Sequence, residues 1–76
     1  MSDDSLLFMV WHATTDTDPP MYMLLCESDD PMRDALRVEI AADQVTERAA
    51  RAKLIEQAFL KARELHIDTS RLRFHV

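Results

Sequence analysis

The sequence has no glycine and no asparagine, one cysteine, and three prolines in 76 residues. Without glycine it contains no Gly-rich phosphate cradle, no dinucleotide-binding fingerprint and no P-loop. Positive φ has no easy host, so tight two-residue hairpins give way to open loops. The single thiol, Cys26, excludes an intrachain disulfide framework and suits a reducing compartment, so a cytoplasmic location is expected. Asp3 and Asp4 stand where a secretory leader carries basic residues. The longest strongly apolar run, residues 6–11, is far too short to cross a bilayer.

Basic residues are also scarce: nine Lys and Arg face fourteen Asp and Glu, for a net charge of −5. Such a balance disfavours non-specific attachment to nucleic acid or an anionic membrane. The imbalance is concentrated in residues 1–34, where eight acids stand against Arg33 alone, a net of −7. Residues 35–76 hold eight bases against six acids, a net of +2. A chain this short supports one core, and that core buries only about 60–65% of the unfolded surface. Pairing with another chain would therefore add needed stability.

What is present reads as residues 1–4, a flexible polar tail, followed by one compact domain over residues 5–76. Residues 6–14 and 21–27 read as strands rich in apolar and aromatic side chains, separated by a Thr/Asp/Pro loop whose tandem prolines cannot join a ladder. Both strands are apolar on both faces, the pattern of a sheet interior. Leu36, Val38 and Ile40 alternate with Arg37, Glu39 and Ala41, predicting a strand with one buried face. A helix over residues 31–40, using Met32, Leu36 and Ile40, is the rival reading. From a cap at Asp43 or Thr46 to His66 the chain has no helix breaker, and Leu54, Ile55, Ala58, Ala62 and Leu65 form one stripe. Leu60 points away from that stripe. Residues 71–76 predict a last strand with Leu72, Phe74 and Val76 on one side and Arg71, Arg73 and His75 on the other.

The order β-β-β-α-β predicts a two-layer α+β fold. A right-handed crossover places the last strand beside the first, giving a mixed four-stranded sheet of order 3-2-1-4 with one long helix on one face. The doubly apolar strands then lie in the centre, and one sheet face stays uncovered. Met9, Trp11, Tyr22 and Leu24 are expected to form that face, although a flipped register would put their alternates there. Trp, Tyr and Met suit an interface with a second copy or another protein. A second contact is expected at the end of the sheet that gathers Asp3, Asp4, Glu27, Asp29, Asp30 and Asp34, facing a basic or nucleic-acid-binding protein surface.

Catalytic and metal signals are weak. His12, His66 and His75 lack the spacing of a helical metal pair, and Asp16-x-Asp18 lacks the rest of a calcium loop. A Cys26–His12 nucleophile has no oxyanion or orienting signal beside it. Arg71 and Arg73 offer a basic strip for nucleic acid, but the only aromatic beside them, Phe74, points the other way. The expectation is a small acidic protein-binding module without cofactor, metal or catalysis. It would act stoichiometrically as phage-type inhibitors and antitoxins do, in all expectation as a homodimer. The alternative is a small nucleic-acid-associated regulator.

Overall fold

The computed structural model describes residues 6–29, 31 and 33–75. Among them run β1 (Leu7–Thr14), β2 (Met21–Cys26), β3 (Val38–Ala41), α1 (Glu47–Glu64) and β4 (Leu72–His75). Short 3-10 turns at Ala42–Gln44 and Thr69–Arg71 lead into α1 and β4. The sheet order is β3-β2-β1-β4, with β1 antiparallel to β2, β2 antiparallel to β3, and β4 parallel to β1. This is the α+β arrangement that the element order predicts. Residues 33–36 form turns, so the segment before β3 is neither helix nor strand, and the β-branched Val38 and Ile40 open the strand proper. The expected tail, residues 1–4, lies outside the described residues.

The pairing register fixes which side chains share a face. Met9 lies opposite Cys26, Trp11 opposite Leu24, Leu24 opposite Val38, and Leu7 opposite Leu72. All of these point toward α1, where Leu7, Met9, Leu24, Leu36, Leu54, Ala58 and Ala62 are fully buried. The helix meets the sheet through Ala50, Leu54, Ala58 and Ala62, one residue per turn of a narrow stripe. Three alanines around one leucine let the helix backbone approach the strands closely. Leu60, off the stripe, is 52% exposed.

The ends of α1 are closed by its own sequence. The Thr46 hydroxyl accepts the Ala49 N–H at 3.1 Å, and Glu47 at the start and Lys61 and Arg63 at the end complement the helix dipole. At the far end the Ile67 N–H reaches the Ala62 carbonyl at 2.8 Å and the His66 N–H reaches Arg63 at 3.1 Å. That bond pair is a Schellman motif, and His66 takes the left-handed position with φ of 59°. A histidine does here what glycine does elsewhere, at a steric cost. Replacing His66 with Gly is expected to stabilise the fold by about 0.5–1 kcal/mol, less than the full steric relief because glycine also loosens the unfolded chain. Thermal unfolding would register this as a rise of a few degrees in Tm.

Asp68 starts the next turn by accepting the Ser70 N–H at 3.0 Å. That bond, the Ser70 hydroxyl and the nearby Arg71 charge hold its carboxyl below the ordinary 3.8. A carboxyl whose folded pKa is depressed stabilises the fold above its unfolded pKa, and the stabilisation is lost as pH falls through the folded value. Asp68→Ala should therefore destabilise the chain at neutral pH, with the difference from wild type shrinking as denaturant titrations move from about pH 5 to about pH 2. A difference that stays constant across that range would mean that Asp68 acts through something other than its ionised carboxyl.

Candidate functional site

Side chains opposite those of the core form a second sheet face that no described element covers. β1 contributes Phe8, Val10, His12 and Thr14, β2 contributes Met21, Met23 and Leu25, β3 contributes Glu39, and β4 contributes Arg73 and His75. Val10 lies opposite Leu25 and beside His75, so the apolar centre of this face sits on the two middle strands. Met23 is 7% exposed even here, shielded by its neighbours, while Phe8 is 40% exposed. A depression of about 400 Å³ is lined by Phe8, Val10, Glu27 and His75. Continuous with its edge, a groove of about 540 Å³ runs over Leu25 between His12, Glu27, Arg33, Asp34 and Arg37.

The expected open-face residues lie on the other side. Met9 and Leu24 are fully buried under α1, and Trp11 and Tyr22 pack partly buried against the same core. The register is the flipped one, because the one-sided strands β3 and β4 must turn Val38, Leu72 and Phe74 to the helix, and the pairing carries Leu24, Leu7 and Met9 with them. A sequence signal for this was present: the polar His12 and Thr14 share their phase with Phe8 and Val10, which marks that phase as the solvent side. The open face is thus formed by the alternates, Phe8, Val10, Met21, Met23 and Leu25, the arrangement that a flipped phase allows.

Trp11 and Tyr22 stack at 4.9 Å between ring centroids near the N-terminal turns of α1. Arg51 lies over the indole at 5.0 Å and pairs with Glu47 at 3.4 Å, so its stem roofs the pair on the helix side. Its Nε is buried without a hydrogen-bond partner.

The charges of the open face are largely self-satisfied. Arg37 pairs with Glu39 at 3.4 Å, and His12 lies 3.3 Å from Glu27. One Arg73 nitrogen donates to the Ser70 and Leu72 carbonyls at 2.7 and 2.8 Å. Glu27 also marks where the ladder outlasts β2: its N–H bonds the Phe8 carbonyl at 2.9 Å, and the Ser28 hydroxyl then accepts the Phe8 N–H and donates to the Leu6 carbonyl.

The topology does bring Glu27, Asp29, Asp34 and Asp68 to one end of the sheet, while Asp3, Asp4 and Asp30 lie outside the described residues. The described acids there are not alone, because Arg33, Arg37 and Arg71 follow the same turns. Arg71 is partly buried beside Asp68, and Arg73 folds back on the backbone, so neither presents an extended guanidinium strip. Phe8, however, joins Arg73 and His75 on one face, with the Phe8 and His75 rings 5.5 Å apart.

Cys26 is buried on the helix side and His12 lies on the open side, so the two cannot act as a nucleophile–base pair. No three His, Cys, Asp or Glu among the described residues gather to hold a metal, and no described helix is long and apolar enough to cross a membrane. Comparison with family models, curated proteins and solved structures finds no match to this chain.

Removing the Arg51 side chain should uncover Trp11. Arg51→Ala is expected to red-shift the emission of this one tryptophan and to cost about 0.5–1 kcal/mol of stability. Unchanged emission would mean that the indole is shielded by something other than the guanidinium.

Proposed function

We propose that this chain is a small protein-binding module that acts stoichiometrically, by contact through the open face of its sheet. One observation carries the reading: Phe8, Val10, Met21 and Leu25, around the shielded Met23, form an apolar surface on a sheet face that no described element covers. Monomeric soluble proteins rarely leave such a patch in water. The charged side chains of the face, Glu27 and Glu39 with Arg37 and Arg73, balance, although the whole chain carries −5. The matching occupant is a different protein with an apolar surface of little net charge. A strongly basic or polyanionic partner would find no complementary field on this face. Interface geometry of this kind needs no bound cofactor and no reacting group.

A photo-crosslinking amino acid at Val10 or Leu25, introduced in cells that make the chain, tests this directly. Attachment is expected to one protein of defined mass, with none from the same probe at Leu60 on the far side of α1. That protein, purified, should bind the wild-type chain one to one by calorimetry. Leu25→Asp, which buries an unpaired charge in the contact, should weaken binding by at least about 100-fold. Attachment to nucleic acid instead would favour a regulator built on Phe8, Arg73 and His75 and overturn the protein-binding reading. So would the absence of any attachment above the Leu60 control.

A further inference from the structure

The outer edge of β4 differs from the rest of the surface. Among the described residues, the large apolar side chains most exposed are Leu6, Phe8, Phe59 and Leu60. Two of them flank β4, one on each side of the sheet: Phe59 stands on Phe74 at 5.3 Å on the helix side, and Phe8 stands beside His75 on the open side. The edge between these aromatic shoulders has no proline and no covering element among the described residues, and its protections are its shortness and the guanidinium of Arg73.

The backbone hydrogen bonds say which groups the edge offers. The Leu72 N–H is taken by the Thr69 carbonyl, and the Leu72 carbonyl is taken by Arg73. Neither group is spent on β1, so Leu72 directs its backbone outward. Direction alternates along a strand, so Arg73 turns its N–H and carbonyl to β1 and Phe74 turns both of its own to the open edge. An outward N–H and carbonyl on one residue are what an antiparallel partner needs to exchange two bonds with its counterpart.

We propose that β4 pairs antiparallel with β4 of a second copy about a two-fold axis at Phe74, joining two four-stranded sheets into one of eight strands. Parity and charge select this register. A two-fold axis normal to the sheet keeps the faces in phase, so Phe74 can meet Phe74, or Arg73 can meet Arg73. The latter sets two guanidinium groups directly opposite each other, which is destabilising. With Phe74 on the axis, Arg73 of each copy lies opposite His75 of the other, and the two Phe59–Phe74 pairs come together as a cluster on the helix side. The open faces of both copies then lie on one side as a continuous surface, so this contact adds to the proposed partner-binding face and does not compete with it. A four-residue edge is short compared with a standard interface of about 800 Å² per partner, so the dimer is expected to dissociate in the micromolar range.

Sedimentation of the purified full chain from about 1 to about 500 µM, the range that a sub-standard interface requires, should show a reversible monomer–dimer equilibrium. Phe59→Glu, at an exposed position, should raise the dissociation constant by at least about tenfold with unchanged circular dichroism, and Leu60→Glu should leave it unaltered. Register is read by disulfide trapping in a Cys26→Ala background. Arg73→Cys mixed with His75→Cys should give an oxidised heterodimer, because directly opposed residues of a non-hydrogen-bonded pair lie about 4.5 Å apart between Cα atoms. Either variant alone should give little. A chain that stays monomeric at the highest concentration overturns the proposal. So does a dimer that ignores Phe59→Glu, yields no mixed disulfide and is abolished by Leu25→Asp, since that dimer is built on the open face.

Discussion

The close seating of α1 on the sheet governs the rest of the molecule. Ala50, Leu54, Ala58 and Ala62 present so little bulk that the helix lies close over β2 and β3, with Leu7, Met9 and Leu24 in the core beneath it, and the other face assignments follow from that packing. Strand side chains alternate with a period of two, so once Leu7 and Met9 are committed to the helix, Phe8 and Val10 are committed to the opposite side. The one-sided strands enforce the same phase from the flanks, because Val38, Leu72 and Phe74 have a single apolar side to offer. A core of this size leaves little stability in reserve, which makes a one-residue slip of any strand costly and the phase well determined.

From this constraint comes the division of labour between the faces. The helix side holds the buried core and, at its margin, the Trp11–Tyr22 pair under Arg51, so the large aromatic groups that resemble interface anchors are used for folding. The open side keeps Phe8 and the smaller or more flexible Val10, Met21, Met23 and Leu25, bordered by charges that already have partners. Methionine adapts its shape to what it meets, which suits a contact surface. Arg37 with Glu39, and His12 with Glu27, lower the field at the rim, so an acidic chain presents a face of little charge.

The fold was legible because its signals were redundant. Strand number, helix length, the right-handed crossover and the central placement of doubly apolar strands all led to one topology, and the helix stripe at Leu54, Ala58 and Ala62 carried directly into the core. The phase of the central strands was harder to read. Strands that are apolar on both faces do not announce which side is inner, and the six-residue loop between Thr14 and Met21 has no turn signature that fixes register. His12 and Thr14 held the answer, two polar groups in phase with Phe8, outweighed by the larger signal of Trp11 and Tyr22. The balance of charge at the sheet end was partly local, with Arg33 and Arg37 beside Asp34 and Arg71 three residues from Asp68, and only the meeting of these two segments depends on the topology. His66 likewise sits in a position that glycine would have marked, and in a glycine-free chain no residue type flags the turn.

Edges and faces respond differently to the shortage of covering structure. The open face asks only for an apolar surface of little charge, because its centre is apolar and its charged rim is paired. The β4 edge makes a directional demand, since Phe74 turns a backbone N–H and carbonyl outward with no described strand beside them. Arg73 meets part of that demand by folding onto the Leu72 carbonyl, which stops pairing at the first residue of the strand and leaves Phe74 as the one outward position still to be satisfied among the described residues of β4. A strand with a single such position at its centre does not template an open-ended ladder. Under the proposed pairing, the shortness of the edge that weakens the contact is also what limits it to two chains.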